Sequence, residues 1–259
     1  MEKTNLKNHQ HKALEALEQV QEICKKHNIK FFLLAGSVLG AVRHKGFIPW
    51  DDDIDIGMLP DDLYKFNQVI ERSLSDGFVW STPENNRRHP RFFGKILYNG
   101  KHCIDVFPIV KTSDNPLKRK TQWIIRKIVL QIYMRKINYT PVLKFKGIYR
   151  KIVFIFSWIL SLFIKREWAI SIARWNEHRF EDENSDYYIN IYSCYSMKKE
   201  LIKREWVENL APIEFEGKEY LAFKDTDAYL THLYGDYMKL PPEDMRVPPH
   251  PEIFIVEKL

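Results

Sequence analysis

Four aspartates stand within five positions, at 51, 52, 53 and 55, in the run FIPWDDDIDIGM (47–58), and Ile54 and Ile56 alternate with the last of them. On a strand, alternate side chains share a face, so Asp53 and Asp55 point one way and the isoleucines the other. Asp51 joins the first face if the strand begins early enough. Two carboxylates about 7 Å apart repel by about 2 kcal/mol at an effective dielectric near 20. A fold tolerates this with a divalent cation held by oxygen ligands, or with a raised pKa on one carboxylate. Asp105, between Ile104 and Val106, is a lone aspartate in a second apolar strand. If the two strands are neighbours, Asp53, Asp55 and Asp105, with Asp51, converge on a site that could set Mg2+ or Mn2+ between carboxylates and phosphate oxygens.

Other uses of the aspartates compete. They could begin a solvated strand. As a calcium loop counted from Asp51, position six is Ile56 where Gly is needed, and position twelve is Asp62 rather than Glu. The alternative of substance is the D-x-D of a metal-dependent glycosyltransferase using a sugar nucleotide. What separates the two lies upstream. Gly36 and Ser37 end the apolar run KFFLLAGS and open a helix, and backbone N–H groups at such a point, with the helix dipole, attract anions. Arg43 and Lys45 precede the aspartates and are candidates for phosphate oxygens, as is Lys95 in FFGKILYN. Trp50, Trp80, Tyr234 and Tyr237 could offer aromatic faces to a cationic head group. Asp236 lies between the two tyrosines. His44, His89, His102 and His250 show no ligand spacing and read as structural or surface residues.

The elements that must position these residues follow from periodicity. Leu14, Leu17, Val20 and Ile23 recur at helical spacing within 8–27. A strand is expected over 30–37, a short helix over 38–46 ended by Pro49, and the aspartate strand over 52–58. A helix follows, with Asp61 or a neighbour as its cap. GFVWST, RFFGKILYN and KHCIDVFPI read as strands, the last two joined by Asn99-Gly100. Further on, a helix over 168–180, a hairpin at Glu216-Gly217, a helix ending at Gly235 and a proline-rich extended tail are expected.

The net charge of +6 is unevenly placed. Of the 40 Lys and Arg, 13 lie between Asn115 and Arg166, where no acidic residue occurs, leaving 27 against 34 acidic residues elsewhere. An acidic body with one basic, apolar and aromatic insertion suggests an anionic surface as partner. The longest uncharged run there, Ile152 to Ile164, falls short of the about 20 residues that span a bilayer, so an interfacial or buried helix is expected, with Trp123, Phe154 and Trp158 at the interface. The stretch carries no motif for reading nucleic acid, and none is expected as partner. The polar opening residues show no secretory signal. The three scattered cysteines fit a reducing, cytoplasmic setting.

The order strand, Gly-Ser, helix, D-x-D strand, Asp strand resembles the nucleotidyltransferase superfamily. The longer run LLAGSVLGAVRHKGFIPWDDDIDIGM (33–58) is similar to the LicD family of phosphotransferases, to which the fukutin-related proteins are also similar. IDVFPI (104–109), FEGKEYLAF (215–223) and YLTHLYGDYMKLPP (229–242) extend the likeness, which thins over the basic insertion. The resemblance implies an α+β fold: a nucleotidyltransferase-like mixed sheet flanked by helices, with a basic helical insertion. The expected organisation is a catalytic core over 1–114, the insertion over 115–167, and C-terminal helices and a hairpin over 168–259 that complete the core. The resemblance implies transfer of phosphocholine, or a similar phospho-alcohol, from CDP-choline or a related CDP-alcohol to a sugar hydroxyl of a cell-surface glycan or teichoic acid precursor. Gly36 and Ser37 then occupy the phosphate-holding turn, Asp53 and Asp55 the metal pair, and Asp105 the third carboxylate and proton acceptor. A lipid-linked glycan acceptor and an anionic membrane surface become the expected partners, with the chain peripheral on the inner face of the cytoplasmic membrane.

Overall fold

The computed structural model describes residues 3–139 and 148–248. His250, Lys144, Lys146 and the tail beyond Pro248 lie outside them. In chain order the elements are α1 (Lys3–His27), β1 (Phe32–Leu33), α2 (Ala35–His44), β2 (Ile54–Met58), α3 (Pro60–Ser73), β3 (Phe78–Ser81), β4 (Gly94–Tyr98), β5 (Lys101–Lys111) and α4 (Pro116–Lys136). Then come α5 (Ile148–Phe163), α6 (Arg166–His178), β6 (Tyr187–Asn190), β7 (Leu201–Lys203), α7 (Arg204–Glu208), β8 (Leu210–Phe215), β9 (Lys218–Phe223) and α8 (Thr226–Tyr234). Helices and a mixed sheet make an α+β fold.

The described residues divide into two compact units. One draws on Met1–Trp80, Lys95–Ile109 and Ile202–Leu259, the other on Ser81–Gly94 and Val110–Leu201. In the first unit the strands lie in the order β1-β2-β5-β4-β3. β1 is antiparallel to β2, and β2 is parallel to β5 with Ile54 opposite Ile104, Asp55 opposite Asp105 and Ile56 opposite Val106. The chain leaves β2 through α3 to the far edge and returns through the Asn99-Gly100 hairpin, which is how two strands distant in sequence come to lie side by side. Ile54, Ile56 and Met58 are wholly buried, as are Ala13, Ala16, Leu17 and Val20 of α1. That burial fixes the register, because a one-residue slip would turn the isoleucines outward.

The C-terminal part of this unit holds α2 in place. Phe223 packs on Phe32 and on Tyr229, with ring centroids 5.1 and 4.7 Å apart. The Tyr229 hydroxyl accepts a hydrogen bond from the Ala35 N–H at 3.1 Å, where α2 begins at a positive φ of 41°. At the other end of α2 the β8–β9 turn closes on the chain. Glu216 N–H donates to the Lys45 carbonyl, and the Glu216 carboxylate accepts from the Phe47 N–H, both at 2.9 Å. A Cβ on Gly46 would lie 2.0 Å from that carboxylate, so the latch requires glycine there.

In the second unit α4 packs against α5 and α6. Gln122 and Asn176 cross-link α4 to α6, each side-chain amide donating to the other's backbone carbonyl at 3.0 Å. Asn115 caps α4 by accepting from the Leu117 and Lys118 N–H groups. Tyr133, fully buried, stacks on Phe92 at 4.7 Å and donates to the His89 carbonyl at 2.6 Å.

Several expectations are corrected. The first strand is two residues long, because Ala35 turns the chain into α2 earlier than the apolar run suggests. Gly36 and Ser37 therefore sit in the first turn of that helix. α3 starts at Pro60, with Leu59 rather than Asp61 at the cap position. Trp123, expected at an interface, is buried on α4, and Trp80, considered for a head-group contact, packs edge-on against Phe66 in the core of the first unit.

Candidate metal centre

The parallel pairing of β2 and β5 sets Asp55 directly opposite Asp105. Paired residues share a face, and their Cα atoms are about 4.8 Å apart across such a ladder. Asp53, two residues before Asp55, keeps to that side. Its Oδ2 lies 3.8 Å from Nδ1 of His102, and ligand atoms of Asp53, His102 and Asp105 all fall within 4.8 Å of one another. Asp51, Asp52 and Asp53 form a second such group.

The glycine at 36 lets these carboxylates approach the start of α2 closely. A Cβ there would stand 3.0 Å from Asp51 Oδ2 and 3.7 Å from Asp55 Oδ2. Ser37 is buried, and its hydroxyl accepts from the Asp55 N–H at 2.8 Å, pinning the start of β2 to the start of α2. The neighbouring amides are engaged: Leu34 N–H donates to the Asp55 carbonyl, Ala35 N–H to Tyr229, and Ser37 N–H to the Leu34 carbonyl. From α1, Gln10 Nε2 donates to the Asp51 carbonyl at 2.8 Å, and buried His9 lies against the backbone of Asp52 and His102.

The electrostatics divide the carboxylates. Burial, and then the charges of Asp53, Asp105 and Asp51, push Asp55 well above the usual carboxylate range, against the smaller opposing charge of Lys95. Burial also acts to raise Asp105, but His102 and Lys95 outweigh it and hold its carboxyl well below that range. Lys95 Nζ is 2.6 Å from Asp105 Oδ1 and 3.1 Å from His102 Nε2, and His102 Nε2 makes a short contact with the same Asp105 oxygen. An oxygen-rich set with one imidazole, crowded enough to perturb its own ionisation, has the donor chemistry of a site for a hard divalent cation.

The residues expected to bind substrate fall into two groups. Gly36, Ser37 and Lys95 belong with Asp51, Asp53, Asp55 and Asp105. Arg43 and Lys45 stand at the other end of α2, whose ten residues span about 15 Å. There Arg43 Nη1 donates to the Tyr237 carbonyl at 2.8 Å, close to Tyr234, and the ring of Trp50 sits 6.4 Å from that of His44, under the guanidinium of Arg246 at 5.8 Å. Lys45 and Asp236 are exposed. Sequence reasoning missed His102. Residues three apart on an alternating strand face opposite ways, so periodicity hid its contact with Asp105. The available signal was a histidine in an otherwise apolar strand, three positions before the aspartate.

Residues 28–151 match the family described as LicD/FKTN/FKRP, nucleotidyltransferase domain. They form a LicD-family nucleotidyltransferase domain. The chain is 26% identical to the lipopolysaccharide cholinephosphotransferase LicD of Haemophilus influenzae over 282 residues, covering 96% of this chain and 97% of that protein. It is 32% identical to human ribitol 5-phosphate transferase FKRP over 116 residues, which is 42% of this chain and 22% of FKRP; mouse FKRP matches over the same share. The chain is thus a LicD-like transferase, and β2, β5 and the start of α2, where the carboxylates meet, all lie inside the matched domain. Among the described residues, no helix of this LicD-like chain is long and apolar enough to cross a membrane.

Proposed function

We propose that this LicD-like chain moves phosphocholine, or a similar phospho-alcohol, from a CDP-activated donor to a sugar hydroxyl of a cell-surface glycan or teichoic acid precursor, releasing CMP. The observation that supports it best is the clustering of Asp53, His102 and Asp105, with Asp55 opposite Asp105 across the β2–β5 ladder and next to Gly36. The residues that would hold Mg2+ or Mn2+ are Asp53, Asp55 and Asp105, with Asp51 at the edge of the set. The ion, when bound, would neutralise charge on the donor pyrophosphate. Gly36, without a Cβ, lets the Asp51 and Asp55 carboxylates sit close to the N-terminus of α2, where a helix end attracts phosphate. Ser37 fixes the position of Asp55, and Lys95 adds positive charge on the Asp105 side. Asp105, held ionised, is a poor proton acceptor and suits the metal set better than the role of base. Trp50, the chain neighbour of Asp51 with its ring beside His44, is the aromatic face offered to a cationic head group, while Arg43 and Tyr234 lie together towards the C-terminal end of α2. The acceptor is a lipid-linked precursor, and the chain works peripherally at the inner face of the cytoplasmic membrane.

The test is nucleotide release from CDP-choline, from other CDP-alcohols and from sugar nucleotides, with and without Mg2+. CMP release that needs the cation and a CDP-alcohol is expected. Asp53→Ala should lower it by about 10³-fold while the far-ultraviolet spectrum and melting temperature are retained. Release of a nucleoside diphosphate from a sugar nucleotide would replace this reading with glycosyl transfer.

A further inference from the structure

Helix α5 is turned inside out. Over the stretch 154–163, the side chains it buries are Ser157, with no exposure, and Ser161 at 7%. Those it exposes are Phe154, Ile155, Phe156, Trp158, Ile159, Leu162 and Phe163, each at least 44% accessible and Phe163 at 74%. At 3.6 residues per turn these seven cover an arc of about 200°. The serine hydroxyls are satisfied within the helix, donating to the Phe154 and Trp158 carbonyls at 3.0 and 2.7 Å, so they pack as small residues against the neighbouring helix. A water-facing helix has the opposite pattern. An apolar face of this extent on a soluble unit marks an interaction surface.

The charges around it select the partner. α6 adds Trp168 and Trp175, seven residues apart on one face and more than half exposed. Cations sit over these aromatic faces: Arg135 over Phe154 at 4.3 Å, Lys165 over Trp168 at 5.9 Å and Arg179 over Trp175 at 5.5 Å. Neither α4 nor α5 contains an acidic residue. Aromatic side chains carrying basic groups suit the boundary between acyl chains and anionic headgroups. A 16-residue helix is about 24 Å long, too short to span the about 30 Å hydrocarbon core but sufficient to lie along its surface.

We infer that the exposed face of α5, with Trp168 and Trp175 of α6, lies in the interface of an anionic lipid bilayer, with α5 parallel to the membrane plane. This rests on the peripheral placement proposed above and names the surface that makes it. The test is flotation of the full chain with vesicles of phosphatidylglycerol and phosphatidylcholine in equal parts, against vesicles of phosphatidylcholine alone. Flotation with the anionic vesicles, at least tenfold weaker with the neutral ones, is expected, together with quenching of tryptophan fluorescence by lipids brominated near the headgroup. The variant W158Q/L162Q/F163Q should lose at least tenfold in vesicle affinity with an unchanged melting temperature. Lys165→Glu with Arg179→Glu should weaken binding to anionic vesicles alone. No flotation of the parent chain, or equal flotation of the triple variant, overturns the inference. So does a dimer in sedimentation that the triple variant dissolves, since the face would then belong to a second copy. CMP release from CDP-choline with a water-soluble sugar acceptor should be the same in parent and triple variant. Flotation without any such release would refute the proposed function and leave the docking face standing.

Discussion

The two units break the same rule in opposite directions. In the first, β2 and β5 carry carboxylates into the protein and set Asp55 against Asp53, Asp105 and Asp51. In the second, α5 carries phenylalanine, tryptophan and leucine out into water and hides serines. A sequence selected only for stability would have done neither. The second unit also shows how this chain treats buried charge for structural ends. Glu177 is paired with Arg174 at 2.5 Å and hydrogen-bonded by Tyr192, and Glu200 accepts from the Ser193 hydroxyl. Asp105 is treated in that manner, by Lys95 and His102, whereas Asp55 is surrounded mainly by like charge. That difference, rather than burial, separates a carboxylate whose charge neighbouring side chains already balance from one whose charge is left for a cation to balance.

The largest effect should come from Asp55→Asn. Transfer should fall by at least about 10³-fold, while the metal-free chain gains about 1–2 kcal/mol of stability, the scale of one like-charge contact at an effective dielectric near 20. The sign follows from the raised carboxyl. The stability Asp55 contributes in the folded state is complete below its unfolded value and is lost as pH rises through the folded one. The gain of the variant over the parent should therefore grow with pH and vanish in acid. Urea melts in the presence of a chelator across that range measure it. A variant less stable than the parent at alkaline pH would mean that Asp55 is paired as the second unit's glutamates are.

Glu200 gives the matching measurement in the second unit. Burial pushes it up to about 7, with the Ser193 hydrogen bond and the charge of Arg126 opposing. Its contribution is complete below the ordinary glutamate value and is lost as pH rises through about 7. The parent should lose about 3 kcal/mol between acid and pH 8 from this group. Glu200→Gln should flatten that slope and leave metal-dependent transfer to a soluble acceptor unchanged. A slope that persists in the variant would assign the pH dependence to another group.

Much of the centre was legible in sequence because strand alternation is a strict code. Asp53, Asp55 and Asp105 could be placed from their isoleucine and valine neighbours, and the hairpin at Asn99-Gly100 from its turn residues. What failed had physical causes. His102 meets Asp105 across an odd spacing that alternation forbids. Arg43 and Lys45 are near the aspartates in sequence, but α2 carries them about 10 and about 14 Å along its axis from Gly36. β6 and α7, of four and five residues, are too short for any period to register. The insertion was recognisable as apolar and basic, yet composition does not say which face of a helix points inward. Trp123 was placed outside for that reason, and the serines of α5 were not read as its buried edge.

That last point can be measured by the smallest effects. Leu is ordinarily a core residue and Ser a surface one, so a helix oriented in the usual way would lose about 2–5 kcal/mol on truncation of a buried Leu162 and be indifferent to enlargement at Ser157. The observed orientation reverses both. Ser157→Leu should cost about 1–3 kcal/mol, because the exposure of the apolar face on one side leaves the serine side as the packed one, where two added heavy atoms overpack it. Leu162→Gln should stay within about 0.5 kcal/mol of the parent in lipid-free buffer, since it exchanges one exposed helix former for another. Chemical denaturation of the two variants, side by side and without vesicles, decides the matter. A costly Leu162→Gln with a tolerated Ser157→Leu would put the aromatic face inside, and the contrast between the two units would reduce to the aspartates alone.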